Sequence, residues 1–96
     1  MAVEQANVVI GSSIVLLSTT TVAPNGNEIA PHTVTVQMPS DAAGAVLVGT
    51  SEVADDAYGF RLMAGQTISI DLGRNERLYA VAEDAEVAVS VLRTSV

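Results

Sequence analysis

The sequence predicts an all-β fold, a small antiparallel β-sandwich or barrel of about seven to eight strands. Apolar and polar residues alternate with period two over several short segments, as half-buried strands require. The apolar 49% is dominated by Ala, Val, Leu and Ile, and the many Val, Ile and Thr suit a pleated surface. Turn-forming residues punctuate the chain at intervals of about ten residues, the spacing of sandwiches and small barrels.

Residues 1–12 are expected to form an N-terminal arm, followed by one sandwich domain over 13–96. Asn7–Ile10, within the arm, and Ser13–Thr20 read as strands. Gly11 lies between them, where a bulge or bend is natural. A long loop follows around 18–31, with Pro24, Asn25, Gly26, Asn27 and Pro31. Loops of this length in compact domains often make contacts, so Pro24, Asn25 and Asn27 are candidate partner-interface residues. In His32–Met38, Val34, Val36 and Met38 share one face, and Pro39-Ser40-Asp41 with Gly44 ends that strand. Ala45–Val48 is apolar on both faces and reads as an inner strand. Phe60–Met63 is a short strand, with Phe60 and Leu62 expected in the core. Ala64-Gly65 precedes Gln66–Leu72, where Ile68, Ile70 and Leu72 share a face. Gly73-Arg74-Asn75-Glu76 marks the next turn, before the inner strand Leu78–Ala82. Asp84-Ala85 is short enough to close a hairpin onto Glu86–Leu92, where Val87, Val89 and Val91 alternate.

Composition excludes several functions. Four Arg, no Lys and eleven acidic residues give a net charge of -7, which repels phosphate, so nucleic acid is not an expected partner. With no Cys, neither a disulfide framework nor a thiolate metal site can form. The longest apolar run, Leu78–Ala82, is far shorter than the roughly 20 residues of a spanning helix, and Met1-Ala2-Val3-Glu4 lacks a basic, apolar signal pattern. Neither a membrane contact nor a targeting segment is expected.

Candidate chemistry is sparse. His32 is the only histidine and has no second His to share a metal, so it reads as a polar residue at the start of a strand. Asp55-Asp56 and Glu83-Asp84, with Glu86 nearby, lack the Asp-x-Asp-x-Asp-Gly calcium loop and read as solvated turns. The dispersed glycines form no phosphate loop, and Gly11-Ser12-Ser13 is not a nucleophile elbow. No catalytic residue, metal or cofactor is expected. Tyr58-Gly59-Phe60-Arg61 is the most distinctive patch, holding two of the three aromatics, and Tyr58 and Arg61 are candidate partner-interface residues. Arg74, Arg77 and Arg93 are expected to pair locally with acids such as Asp71, Glu76 or Glu86.

The order of these motifs resembles small virion proteins of tailed bacteriophages. It is carried by Val34–Asp41 leading into Ala45–Gly49, by Tyr58–Leu62 with Ala64-Gly65-Gln66, by Ile68–Leu72, by Leu78–Ala82 and by Val87–Arg93. The resemblance covers roughly residues 32–93 and brings no catalytic residues. It implies a capsid decoration or other head-associated protein, a small β-sandwich that is often trimeric. Such a protein is made in the host cytoplasm and binds the major capsid protein on the outer capsid surface. The alternatives it leaves are a tail, neck or fibre-base module, or a carbohydrate-binding adsorption module.

Overall fold

Alternating Val, Ile and Thr segments become strands because one face of each can be buried while the other stays wet. The computed structural model describes residues 2–19 and 28–95. Among them are eight strands: β1 (Ala2–Ile10), β2 (Val15–Leu16), β3 (His32–Gln37), β4 (Val46–Gly49), β5 (Phe60–Leu62), β6 (Thr67–Leu72), β7 (Tyr79–Ala82) and β8 (Val87–Ser95). They form two antiparallel four-stranded sheets, ordered β1-β8-β3-β6 and β2-β7-β4-β5. The all-β sandwich expected from the sequence is the observed architecture.

The pairing has a simple logic. First pairs with last, second with seventh, third with sixth and fourth with fifth, all antiparallel. The chain is thus one long double-stranded ribbon whose tip is the β4–β5 hairpin. Rolling that ribbon brings β3 against β8 and β4 against β7, and this completes both sheets. Eight strands joined in this order make a jelly roll, a double-sheet architecture without helical crossovers.

Two local expectations are corrected. Asp84-Ala85 does not close a hairpin, because β7 and β8 belong to different sheets. The Ala82 amide donates to the Gly11 carbonyl and the Glu83 amide to the Ala45 carbonyl, so the chain is held to the β2-β7-β4-β5 side before it crosses over. The Asp84-Ala85 pair lacks the Asn-Gly or Asp-Gly chemistry that a tight hairpin favours. The stretch expected as an arm is a strand for most of its length, with Ala2 through Ile10 registered one for one against Ser95 through Val87. Gly11 does mark the break, since the chain leaves one sheet there and enters the other at Val15, but of the strand expected over 13–20 only Val15–Leu16 forms among the described residues.

The core lies between the inner rows. Val34 and Val36 from β3 with Met38 just beyond its end, Val87, Val89 and Val91 from β8, and Val46, Val48 and Ala80 from the facing sheet are all nearly or fully buried. Ile10 and Leu17 fill the open side, where the chain passes between sheets. Gly49 faces outward, and a Cβ there would meet Val53 Cγ2 at 3.4 Å and the Gly59 amide nitrogen at 3.3 Å. Its missing side chain lets the buried Val53 close over the sheet and anchor the 50–58 turn. Gly65, with φ of 78°, holds the left-handed position in the turn before β6, where a side chain would be strained.

Candidate functional site

The 50–58 turn projects the aromatic patch. Ala54 and Ala57 exchange both backbone hydrogen bonds, at 2.8 and 3.0 Å, and the Gly59 amide donates to the Val48 carbonyl at 2.8 Å. Asp55 and Asp56 sit at the exposed tip, and Tyr58 emerges 47% exposed. Phe60 follows opposite Val48 on the inward row. The sequence expectation that Phe60 is core is wrong, for it is 53% exposed whereas Leu62 is buried. β5 is the last strand of its sheet, so the inward row there overhangs the sandwich rim. The result is a shallow groove bordered by Gly49, Tyr58, Phe60, Ile70, Arg77 and Leu78.

Arg61 does not line that groove. Strand alternation turns it to the opposite face, where its guanidinium grips Glu83 through Nε at 2.7 Å and Nη2 at 2.8 Å. The Glu83 carboxyl is held below the usual carboxylate value by this hydrogen-bonded fork, and Arg61 is raised by the same contact. Both side chains are solvated, so the pair orders the surface more than it stabilises the fold. Pro24, Asn25 and Asn27 lie outside the described residues.

The larger surface is the outer face of the β1-β8-β3-β6 sheet. Its outward rows carry Gln5 and Asn7 on β1, Ser90 and Thr94 on β8, Thr33, Thr35 and Gln37 on β3, and Thr67 and Ser69 on β6. Asp71 is the one charged side chain in these rows, and it accepts a 2.7 Å hydrogen bond from the Thr33 hydroxyl. The Thr35 and Ser69 hydroxyls share another of 2.7 Å. A shallow depression runs between Gln5, Thr35, Gln37, Ser90 and Leu92. In a protein of net charge -7, this is a broad face almost free of charge, covered by hydroxyls and amides with Val3, Val9 and Leu92 exposed among them.

A third cluster lies inside the sandwich, at the end where β1 begins and β8 ends. Continuing the alternation of Val87, Val89 and Val91 by one step points Arg93 inward, 17% exposed. Its Nε donates to the Leu17 carbonyl at 2.7 Å, and its Nη1 lies 3.8 Å from Glu4 Oε1. The Thr19 hydroxyl donates to the same carboxylate at 2.8 Å, and the Thr19 amide donates to His32 Nε2 at 3.2 Å. His32 Nδ1 lies 3.0 Å from the Ala30 carbonyl. The ring therefore accepts at Nε2 and donates at Nδ1, a neutral tautomer fixed by two backbone groups. The expected local pairings of the arginines are corrected accordingly. Arg93 reaches Glu4 on the neighbouring strand, and Arg74 lies 3.3 Å from Glu28 across the 28–31 segment. Arg77 borders the aromatic groove. The inward placement of Arg93 and His32 was open to sequence reading, because both continue rows of buried valines.

The structural role of this cluster is testable. His32→Phe fills similar space but removes the acceptor for the buried Thr19 amide, and an orphaned buried donor costs about 1–3 kcal/mol. Urea unfolding is expected to show a lower midpoint with an unchanged slope.

Among the described residues, no group of three or more His, Asp or Glu is placed to hold a metal ion. No helix there is long and apolar enough to cross a membrane. No family model, no curated protein and no solved structure matches this chain.

Proposed function

We propose that this protein is a structural component of a bacteriophage virion, binding the outside of the assembled capsid and stabilising it. The observation that carries the reading is the broad, nearly uncharged outer face of the β1-β8-β3-β6 sheet. A wide, shallow, nearly uncharged surface of hydroxyls and amides with a few exposed apolar side chains suits a protein lattice better than a small molecule, which binds in a concave site. The resemblance of residues 32–93 to tailed-phage virion proteins points the same way, and double-sheet jelly rolls are an architecture of viral capsid domains. The net charge of -7 favours the outer surface over one that faces packaged DNA.

Stabilisation follows from linkage. A protein that binds the assembled lattice and not its free subunits favours the shell by its binding free energy, about 2.7 kcal/mol per site at a hundredfold excess over Kd. The partners are the major capsid protein and further copies of this chain. Tyr58, at the groove beside the 50–58 turn, is a second contact.

The reading is tested by co-sedimentation with mature heads and with free capsid subunits, together with copy number per virion by quantitative mass spectrometry. Binding to heads alone and hundreds of copies per particle are expected. Binding to isolated tails with a dozen copies or fewer would transfer the protein to a tail or neck module. Retention on host polysaccharide without head binding would make it an adsorption module. Thr35→Arg, which places a charge at the centre of the polar face, is expected to lower head binding at least tenfold. Its thermal stability should fall by only about 0.5–1.5 kcal/mol, the worth of the Thr35–Ser69 hydroxyl hydrogen bond that the change removes.

A further inference from the structure

We propose that the protein forms a two-fold symmetric dimer in which β1 of one copy pairs antiparallel with β1 of a second, joining their sheets into one continuous eight-stranded sheet. The inference rests on the sheet edge and holds whether or not the virion reading does.

β1 is the edge of its sheet, and one side of it is paired to β8 along the full nine residues. Among the described residues, no strand pairs with its other side. Soluble proteins blunt such edges by shortness, charge, proline, a bulge, an inward-pointing charge or a covering loop. The β2 and β5 edges are two and three residues long, and the β6 edge carries Asp71. Among the described residues, β1 has one of these protections, an inward-turned charge, and that charge is compensated within its own copy. Its register with β8 is unbroken, it contains no proline, and its single charge, Glu4, is turned inward onto Arg93 and Thr19. Meanwhile Val3 and Val9 stand 62% and 55% exposed on the outward row.

The residue order of β1 is complementary to itself. Pairing two copies about Ala6 sets Val3 opposite Val9, Gln5 opposite Asn7, Glu4 opposite Val8 and Ala6 opposite Ala6. Each exposed valine gains an apolar cross-strand neighbour, each amide meets an amide, and no like charges face one another. A shift of the pairing sum by one residue would oppose side chains from different faces, which an antiparallel sheet does not allow. Recentring on Gln5 or Asn7 leaves residues unpaired at the ends and sets an exposed valine against an amide. The neighbouring Glu4 is already neutralised within its own copy, so closing the interface buries no uncompensated charge.

Cysteine cross-linking of the full chain tests the pairing, because the sequence contains no cysteine of its own. Cα atoms directly opposite in an antiparallel pair are about 4.5–5.5 Å apart, within the roughly 4.4–6.8 Å that a disulfide spans. Oxidation is expected to convert Ala6→Cys into a covalent dimer. Val9→Cys should cross-link far less, because its own counterpart lies six positions along the other strand from the residue it faces. Sedimentation equilibrium of the unaltered protein should give twice the 9.9 kDa chain mass. The double variant Val3→Lys with Val9→Lys, which sets lysine against lysine, should sediment as a folded monomer with an unchanged circular dichroism spectrum. A monomer mass for the unaltered protein at 100 μM would overturn the proposal. So would a trimer, which would indicate β1-to-β6 pairing around a ring. Equal cross-linking at positions 6 and 9 would overturn the β1 register.

Discussion

Leu17→Ala is expected to lower the stability of the domain by about 3–5 kcal/mol, at the upper end for such substitutions. Leu17 is fully buried where the chain leaves β2, among Ile10, Val34, Leu78 and the valines of both sheets. The cavity should persist, because the backbone there is held on both sides. The Leu17 amide donates to the Leu78 carbonyl at 2.8 Å, and the Leu17 carbonyl accepts from Arg93 at 2.7 Å. A domain of this size has roughly 5–14 kcal/mol in total, and each kcal/mol moves its melting temperature by about 4–8 °C. The variant should therefore melt at least about 12 °C lower in calorimetry. Leu92→Ala is the control, since Leu92 is 40% exposed on the outer face and should shift the midpoint by about 0.5 kcal/mol or less. Similar losses at the two positions would show that Leu17 does not occupy the tight site described.

Arg93→Met should cost about 1–3 kcal/mol, although methionine keeps the apolar stem. The change removes the donor to the Leu17 carbonyl and takes a positive charge from beside Glu4. The larger part of the loss is the Leu17 carbonyl left without its donor, since Glu4 keeps the Thr19 hydroxyl and its side chain is 37% exposed. Adding Glu4→Gln to Arg93→Met should return part of the loss, and the double-mutant cycle in urea measures how much. A cycle with no coupling would mean that Arg93 acts through the Leu17 carbonyl alone.

A single sequence encodes the rows of a small β-protein more directly than it encodes their pairing. Period two is local, so the inward rows of β3, β6 and β8 could be read directly from Val34 and Val36, Ile68 and Ile70, and Val87 and Val89. The same rule, carried one step beyond the valines, reaches His32 and Arg93. Their polarity argues for the surface, and only the partners supplied by Thr19, Ala30, Leu17 and Glu4 make the interior tolerable. Strand pairing is not local. Asp84-Ala85 has the length of a hairpin, yet it joins strands of different sheets, because β7 and β8 find their partners far back in the chain. Phe60 failed for a related reason. Its row is inward, but its strand lies at an edge, and edge position follows from the sheet order. At the candidate site, Tyr58 was legible as an exposed aromatic. The flat polar face was not, since it appears only when Gln5, Thr35, Ser69 and Ser90 are brought side by side from four strands.

The rolled-ribbon order sets a timetable for the chain's synthesis. β8 is the last strand of the eight, yet it lies between β1 and β3 inside its sheet. Until β8 has left the ribosome, β1 has no partner strand and β3 can pair only with β6. The native fold must therefore form after translation of β8, and not progressively from the amino terminus. Long-range strand pairing of this kind folds slowly, in about milliseconds to seconds. Through that interval the exposed edges of β1 and β3 leave the nascent chain open to chaperones and to unproductive pairing with its neighbours.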